Sequence, residues 1–188
     1  MRTRPIAIAA VLAVTALAAN ADTARDAQQA RDLIKTFAGT LQGELQAAMK
    51  AGGPVEAVSV CSDRAPAIAA ELSEASGWDI GRTSDKPRNA ANNTPDAWEQ
   101  KVLRQFADRQ RNGEAVAGMT YAEVIHDDGG KTYRFMQAIP TGQVCLTCHG
   151  SDIEPGLAEA IDAAYPDDRA RGFALGDLRG AFSLSKPL

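Results

Sequence analysis

Between Asp22 and Lys50 large apolar residues recur every fourth position, at Leu33, Phe37, Leu41, Leu45 and Met49, with Ile34 and Ala48 widening the stripe. That spacing predicts a long helix with one apolar face. Gly52-Gly53-Pro54 ends it and opens another, since proline is tolerated in a first turn. A short helix carrying Val55, Val58 and Cys61 follows, and Pro66 restarts a helix that ends near Gly77. The period then changes. Trp78 to Thr83 reads as a short strand, and SDKPRNAANNTPD after it as a turn-rich polar loop. Thr94-Pro95-Asp96 supplies a cap, a first-turn proline and an acidic first turn for a helix reaching about Asn112, where Gly113 stops it. Gly118–His126 and Lys131–Ile139 are strand-like runs flanking Asp127-Asp128-Gly129-Gly130, a hairpin signal. A short helix around Leu157–Ala164 and a last strand, Leu178–Leu184, complete the pattern. Helices first and hairpin strands later, without βαβ alternation, indicate an α+β fold with an antiparallel sheet.

The extreme N-terminus does not fit that domain. Arg2 and Arg4 precede an apolar run, Ile6 to Ala19, and Ala19-Asn20-Ala21 is a small-x-small cleavage site, so residues 1–21 read as a signal peptide. The run is shorter than the roughly 18–20 residues a bilayer span needs. The expectation is an exported, periplasmic protein with no stable membrane anchor, divided into a leader (1–21), an N-terminal helix (22–52) and a domain (53–188). That first helix could pair with a second copy of itself or pack on its own domain. The net charge is −4, and cleavage removes two arginines and no acid. Such acidity argues against a nucleic-acid partner, which requires basic surface, and suits a soluble protein docking on a basic partner.

Three cysteines in an exported chain cannot all be paired. Two of them stand in QVCLTCHG, residues 143–150. Covalent haem attachment needs two thiols that reach both vinyl groups of one porphyrin, and a histidine directly after them beneath the iron. Cys145, Cys148 and His149 meet that need as the C-x-x-C-H signature. A thioredoxin-like pair would want a βαβ context, and a zinc site would want four ligands, for which only Cys61 and His126 remain as distant extras. One covalent haem c per chain is therefore expected.

The opposite axial position has several candidate donors: Met49, Met119, Met136, His126 and Cys61. His126 abuts the hairpin turn, about 26 Å from the other end of the 131–139 strand, where the C-x-x-C-H segment leaves. Met119 lies nearer that end, and Cys61 near the end of a helix. Spacing alone favours Met119 slightly over Cys61. Tyr133, Phe135 and Ile139 alternate on one strand face and would offer a porphyrin an apolar wall, or serve as ordinary core. Arg82, Lys86 and Arg88 in the polar loop could pair with haem propionates or simply be solvated.

Four segments, AVSVCSDRAPAIA, GRTSDKPRNAANNTPDAWE, CLTCHG and YPDDRARGFALGDLRGAFSL, resemble the family of PAS-like c-type haem domains, long known only as a domain of unknown function. The resemblance covers most of the chain in the right order. It implies a five-stranded antiparallel sheet flanked by helices, with an N-terminal helical segment. It also implies iron ligation by His149 and, from the V-x-x-C segment, by Cys61. Ala90 and Ala138 stand where the family often has proline, away from either ligand. The absence of a second hydrophobic segment or signalling module suits the free-standing exported form of the family. The implied function is redox or gas sensing through the haem, with an unidentified redox partner or a small gas. The alternative is a low-potential electron-transfer cytochrome. A peroxidase would need an open distal site with an acid/base pair, and no such pair is evident.

Overall fold

The computed structural model describes residues 7–127 and 129–188, with backbone only for residues 7–21 and Asp127. The expected leader falls partly on residues 1–6, which lie outside the described residues, and partly on the backbone-only start of the first helix. No helix among the described residues is long and apolar enough to cross a membrane.

Helix α1 (Ala7–Ser59) carries the fourfold apolar stripe and is broken where the sequence indicates, at Gly53, whose φ of 76° is not helical. Pro54 follows in a new first turn. Beyond Ser59 the chain does not stop and restart at Pro66. It passes through a π turn, Val60–Arg64, in which the Ala65 amide bonds to the Val60 carbonyl five residues back. Helix α2 (Ala65–Ser76) then continues to Gly77. After strand β1 (Asp79–Thr83), the polar loop contains a single-turn helix, α3 (Ala90–Asn93), capped by the Asn89 side chain. Helix α4 (Ala97–Arg111) starts two residues later than the Thr94 cap expected. Asp96 is the cap, in a reciprocal capping box with Glu99. Strands β2 (Thr120–Asp127) and β3 (Gly130–Pro140) form the expected hairpin, in register from Thr120↔Gln137 to Asp127↔Gly130. Its turn includes Asp128, which lies outside the described residues. A turn at Gln143–Cys145, two short helices, α5 (Leu146–His149) and α6 (Pro155–Ala164), and strand β4 (Leu178–Pro187) finish the chain.

The sheet is antiparallel, in the order β1-β4-β3-β2. It has four strands among the described residues, and the fifth that the family resemblance implied is not there. The segment after β1 folds back as loop and helix instead. Pro87 and Pro95 bound it, and Asn93 binds the strand edge by donating its side-chain amide to the Arg82 carbonyl at 2.6 Å while its own carbonyl accepts from Ser84. Proline has no amide for a ladder, and the asparagines supply turns.

Each face of the sheet is covered. On one, α1 and α2 bring Ala30, Ile34, Phe37 and Ile68 against Trp78, Ile80, Tyr133, Phe135, Phe182 and Leu184. On the other, α4 packs Val102, Leu103 and Phe106 against Met119, Met136, Ala138 and Ala181. A small cluster, Leu157, Ile161 and Tyr165 with Val58, holds α6 against the end of α1. At the far end of β3, at Ile139, the first-named face borders the cleft.

Candidate functional site

The cleft is walled on one side by α1 and the π turn, through Leu41, Leu45, Val58 and Cys61. Ile139, Val144, Cys145, Cys148 and His149 line it where the chain turns out of β3. Arg82, Arg88 and Asn89 come from β1 and the polar loop, Tyr165 from the end of α6, and Arg179 with Gly180 from β4. So Cys61, more than eighty residues from the C-x-x-C-H turn, opens into the same space as that turn. All three cysteines are free thiols. Among the described residues no three His, Cys, Asp or Glu side chains converge tightly enough to hold a bare metal ion. These side chains bracket a volume rather than a point, which fits a flat group between two axial donors better than a zinc ion.

Local geometry readies His149 as a ligand. Its Nδ1 lies 2.8 Å from the Ala170 carbonyl, which can only accept, so Nδ1 carries the proton and Nε2 keeps its lone pair. Burial, with Arg179 and Arg88 nearby, pushes its pKa down to about 3, so the ring is neutral. Metal-binding histidines are commonly oriented by such a bond from the second nitrogen. The strap that supplies Ala170 runs alongside the turn: Phe173 and Gly172 donate amides to the His149 and Gly150 carbonyls, each at 3.0 Å. Phe173 also meets the imidazole edge-on.

Cys61 sits in the π turn. One extra residue in a helical turn re-aims its side chains, and such turns are frequent at functional sites. Burial raises its thiol pKa, while Arg82, Arg88 and Arg179 pull it the other way. Tyr165 is pushed up to about 12, chiefly by burial and then by Cys61, so it stays a neutral phenol beside the thiol.

Several expected site residues lie elsewhere. Met119 is buried with Met136 on the α4 face, behind the sheet, so the lean that spacing gave it is not met. His126 is exposed at the hairpin end of β2. Tyr133 and Phe135 do share a sheet face with Ile139, but they lie under α1 and α2 at 2% and 1% exposure. The cleft starts only at Ile139, about 13 Å further along β3 from Phe135. Of the three loop cations, Lys86 turns away to the Arg171 carbonyl and the Phe173 ring. Arg88 is a clasp, bonding Asp168, the Ala170 carbonyl at 3.1 Å and the Cys148 carbonyl at 2.5 Å. It lines the cleft, yet its guanidinium is spent on the protein. Arg82 does face the cleft.

Sequence reading missed Arg179. Partner registers step from Ile139↔Gly180 to Pro140↔Leu178, so Arg179 is the unpaired residue of a β-bulge. Bulges re-aim side chains, and this one turns Arg179 towards the cleft. Gly180 makes it possible: at φ 151°, a Cβ there would stand 2.4 Å from the Thr83 carbonyl. The only hint in the sequence was the Arg-Gly pair inside an otherwise regular strand.

Helices flanking an antiparallel sheet, with a C-x-x-C-H turn and a cysteine facing one cleft, make this a PAS-like domain of the c-type haem kind that the four segments resemble. The chain belongs to the Tll0287-like family, whose pattern matches residues 8–187. The crystal structure of the cyanobacterial haem protein Tll0287 has the same fold, with a TM-score of 0.65 and 23% identity over 87% of this chain and 95% of that one. No curated protein sequence matches the chain.

Proposed function

We propose that this protein is an exported monohaem cytochrome of the c type that acts in redox or gas sensing. Thioethers from Cys145 and Cys148 would hold one haem in the cleft, with His149 and Cys61 as axial ligands. The observation that carries the reading is the joint opening of Cys61 and the C-x-x-C-H turn into one cleft that brackets a volume rather than a point. The similarity to Tll0287, a haem protein of the same fold, supports it. Export rests on the leader-like residues 1–21, with 22–52 as an N-terminal helix and 53–188 as the haem-bearing part.

When bound, haem supplies one-electron chemistry and, where an axial position opens, a place for a diatomic gas. Within that frame the chain's own groups have definite tasks. The Ala170 carbonyl fixes the His149 tautomer. A Cys61 thiolate would favour the ferric state and a low potential. Among the described residues the cleft lining contains no methionine, lysine or second histidine, and Tyr165 beside Cys61 is held as a neutral phenol, a poor donor, so no ready replacement stands by if Cys61 leaves on reduction. That favours an opened position, hence sensing, over exchange of one protein ligand for another. A low-potential electron carrier is the reading in which Cys61 stays bound in both states.

The test is the reduced spectrum with and without CO or NO, in wild type and Cys61→Ala. Sensing predicts that reduced wild type binds at least one gas. Indifference to both, with the thiolate signature retained, would leave electron transfer. An unchanged ferric spectrum and potential in Cys61→Ala would remove Cys61 as a ligand.

A further inference from the structure

The cleft has an electrostatic imbalance that its cysteines and histidine do not explain. The chain as a whole is acidic, at −4, yet three arginines line this cleft and, among the described residues, no Asp or Glu does. Arg88 is balanced by Asp168, at 3.2 Å. Arg82 and Arg179 meet no carboxylate among the described residues. The Arg82 guanidinium lies over the Phe37 ring, 5.5 Å from its centroid. The Arg179 guanidinium lies over Phe173, with only two long contacts of 3.5 Å, to the Ser84 hydroxyl and the Lys86 carbonyl. Burial lowers the Arg179 pKa to about 10, with Arg88 and Arg82 adding to the effect.

Desolvated cations without counter-ions are costly, and a fold keeps them where a ligand brings the missing charge. Two unspent guanidiniums call for two anionic groups, and each offers a fork suited to a carboxylate. We infer that Arg82 and Arg179 are the receptor for the two carboxylates of a porphyrin. Arg88 is left out of that receptor, since its guanidinium holds the Cys148 carbonyl and Asp168. The inference rests on the haem reading above and adds to it which cations orient the group. The β-bulge at Arg179 then has a purpose: without it, β4 would present that side chain to the other sheet face.

Mesoporphyrin IX without iron separates carboxylate recognition from ligation and, having no vinyl groups, from thioether formation. The full chain, produced without haem attachment, is titrated with the free acid and with its dimethyl ester by porphyrin fluorescence anisotropy. The free acid should bind about tenfold more tightly or better, the scale of a charge-assisted pair. In Arg82→Gln/Arg179→Gln the acid should weaken to the level of the ester while the ester is unaffected. Equal binding of acid and ester in wild type overturns the inference alone, as does discrimination that survives the double substitution. Binding of neither form by the folded chain removes the haem reading and this inference with it. The haem-loaded chain gives a second readout that does not depend on folding without haem. Arg82→Gln/Arg179→Gln should lower the reduction potential, and Arg82→Lys/Arg179→Lys, which keeps the charges, should restore much of it. An unchanged potential in the glutamine variant also overturns the inference.

Discussion

Asp168 and Arg88 show how single residues hold the cleft in shape. Both side chains are almost fully buried, at 2% and 8% exposure, and Arg88 reaches from the carboxylate to the Cys148 carbonyl. Burial alone would raise the Asp168 pKa. Hydrogen bonds from Arg171, the Ala170 amide and Arg88 outweigh it and hold the carboxyl below its usual range. A depressed folded pKa gives stability that is present above the unfolded value of about 3.9 and is lost as pH falls through the folded value. Asp168→Asn should therefore be less stable than wild type at neutral pH, with the gap narrowing below about pH 4, as read from urea midpoints across pH. Arg88→Met, which takes the donor from the Cys148 and Ala170 carbonyls and leaves Asp168 to Arg171 and the Ala170 amide alone, should cost about 1–3 kcal/mol in the same assay at pH 7. A loss below 1 kcal/mol would show that the pair is not the clasp described here. Arg88 was visible in the sequence as a loop cation, but its role was not. Nothing in a linear pattern says that a carboxylate eighty residues away will reach it first.

At the scale of elements, the π turn decides whether Cys61 serves the cleft. Helical residues advance by about 100° each, so one residue more or less swings every side chain beyond it. Deleting Ser59, the exposed residue just before the turn, should take up its extra residue and turn the Cys61 side chain by about 100° relative to α1, out of line with the cleft. The expected result is loss of the thiolate signature from the ferric spectrum while circular dichroism keeps its helical content. A retained signature would mean that the turn is not what aims the cysteine. The helices, the hairpin and the last strand were legible because their periods, caps and turns are local. The π turn and the bulge at Arg179 were not, since each is one residue out of step and draws its geometry from packing against another element. Pro66 misled for a related reason: a proline near the start of α2 is compatible with continuity when the π turn has already loosened the ladder before it.

For the whole molecule, the N-terminal helix is structural before it is anything else. Ala30, Ile34 and Phe37 complete the core on the sheet, Leu41 and Leu45 wall the cleft, and Lys186 on β4 pairs with the buried Asp26 at 2.7 Å. A chain beginning at Gly53 would expose that face of the sheet and should show no cooperative thermal transition by circular dichroism, whereas a chain beginning at Asp22 should melt as a single step. A cooperative melt of the shorter chain would mean that the helix is an appendage.

The linear sequence by itself determined the class of fold, most element positions, and the C-x-x-C-H spacing, because these depend on residue types within a few positions of one another. The tertiary structure alone brought Cys61 and that turn into one cleft and sent Met119 behind the sheet. It also set Tyr133 and Phe135 in the core and divided the arginines into one clasp and two unspent cations. Those outcomes depend on which side chains meet across long separations in the chain, where burial and charge pairing are settled only once the helices and sheet have closed on each other.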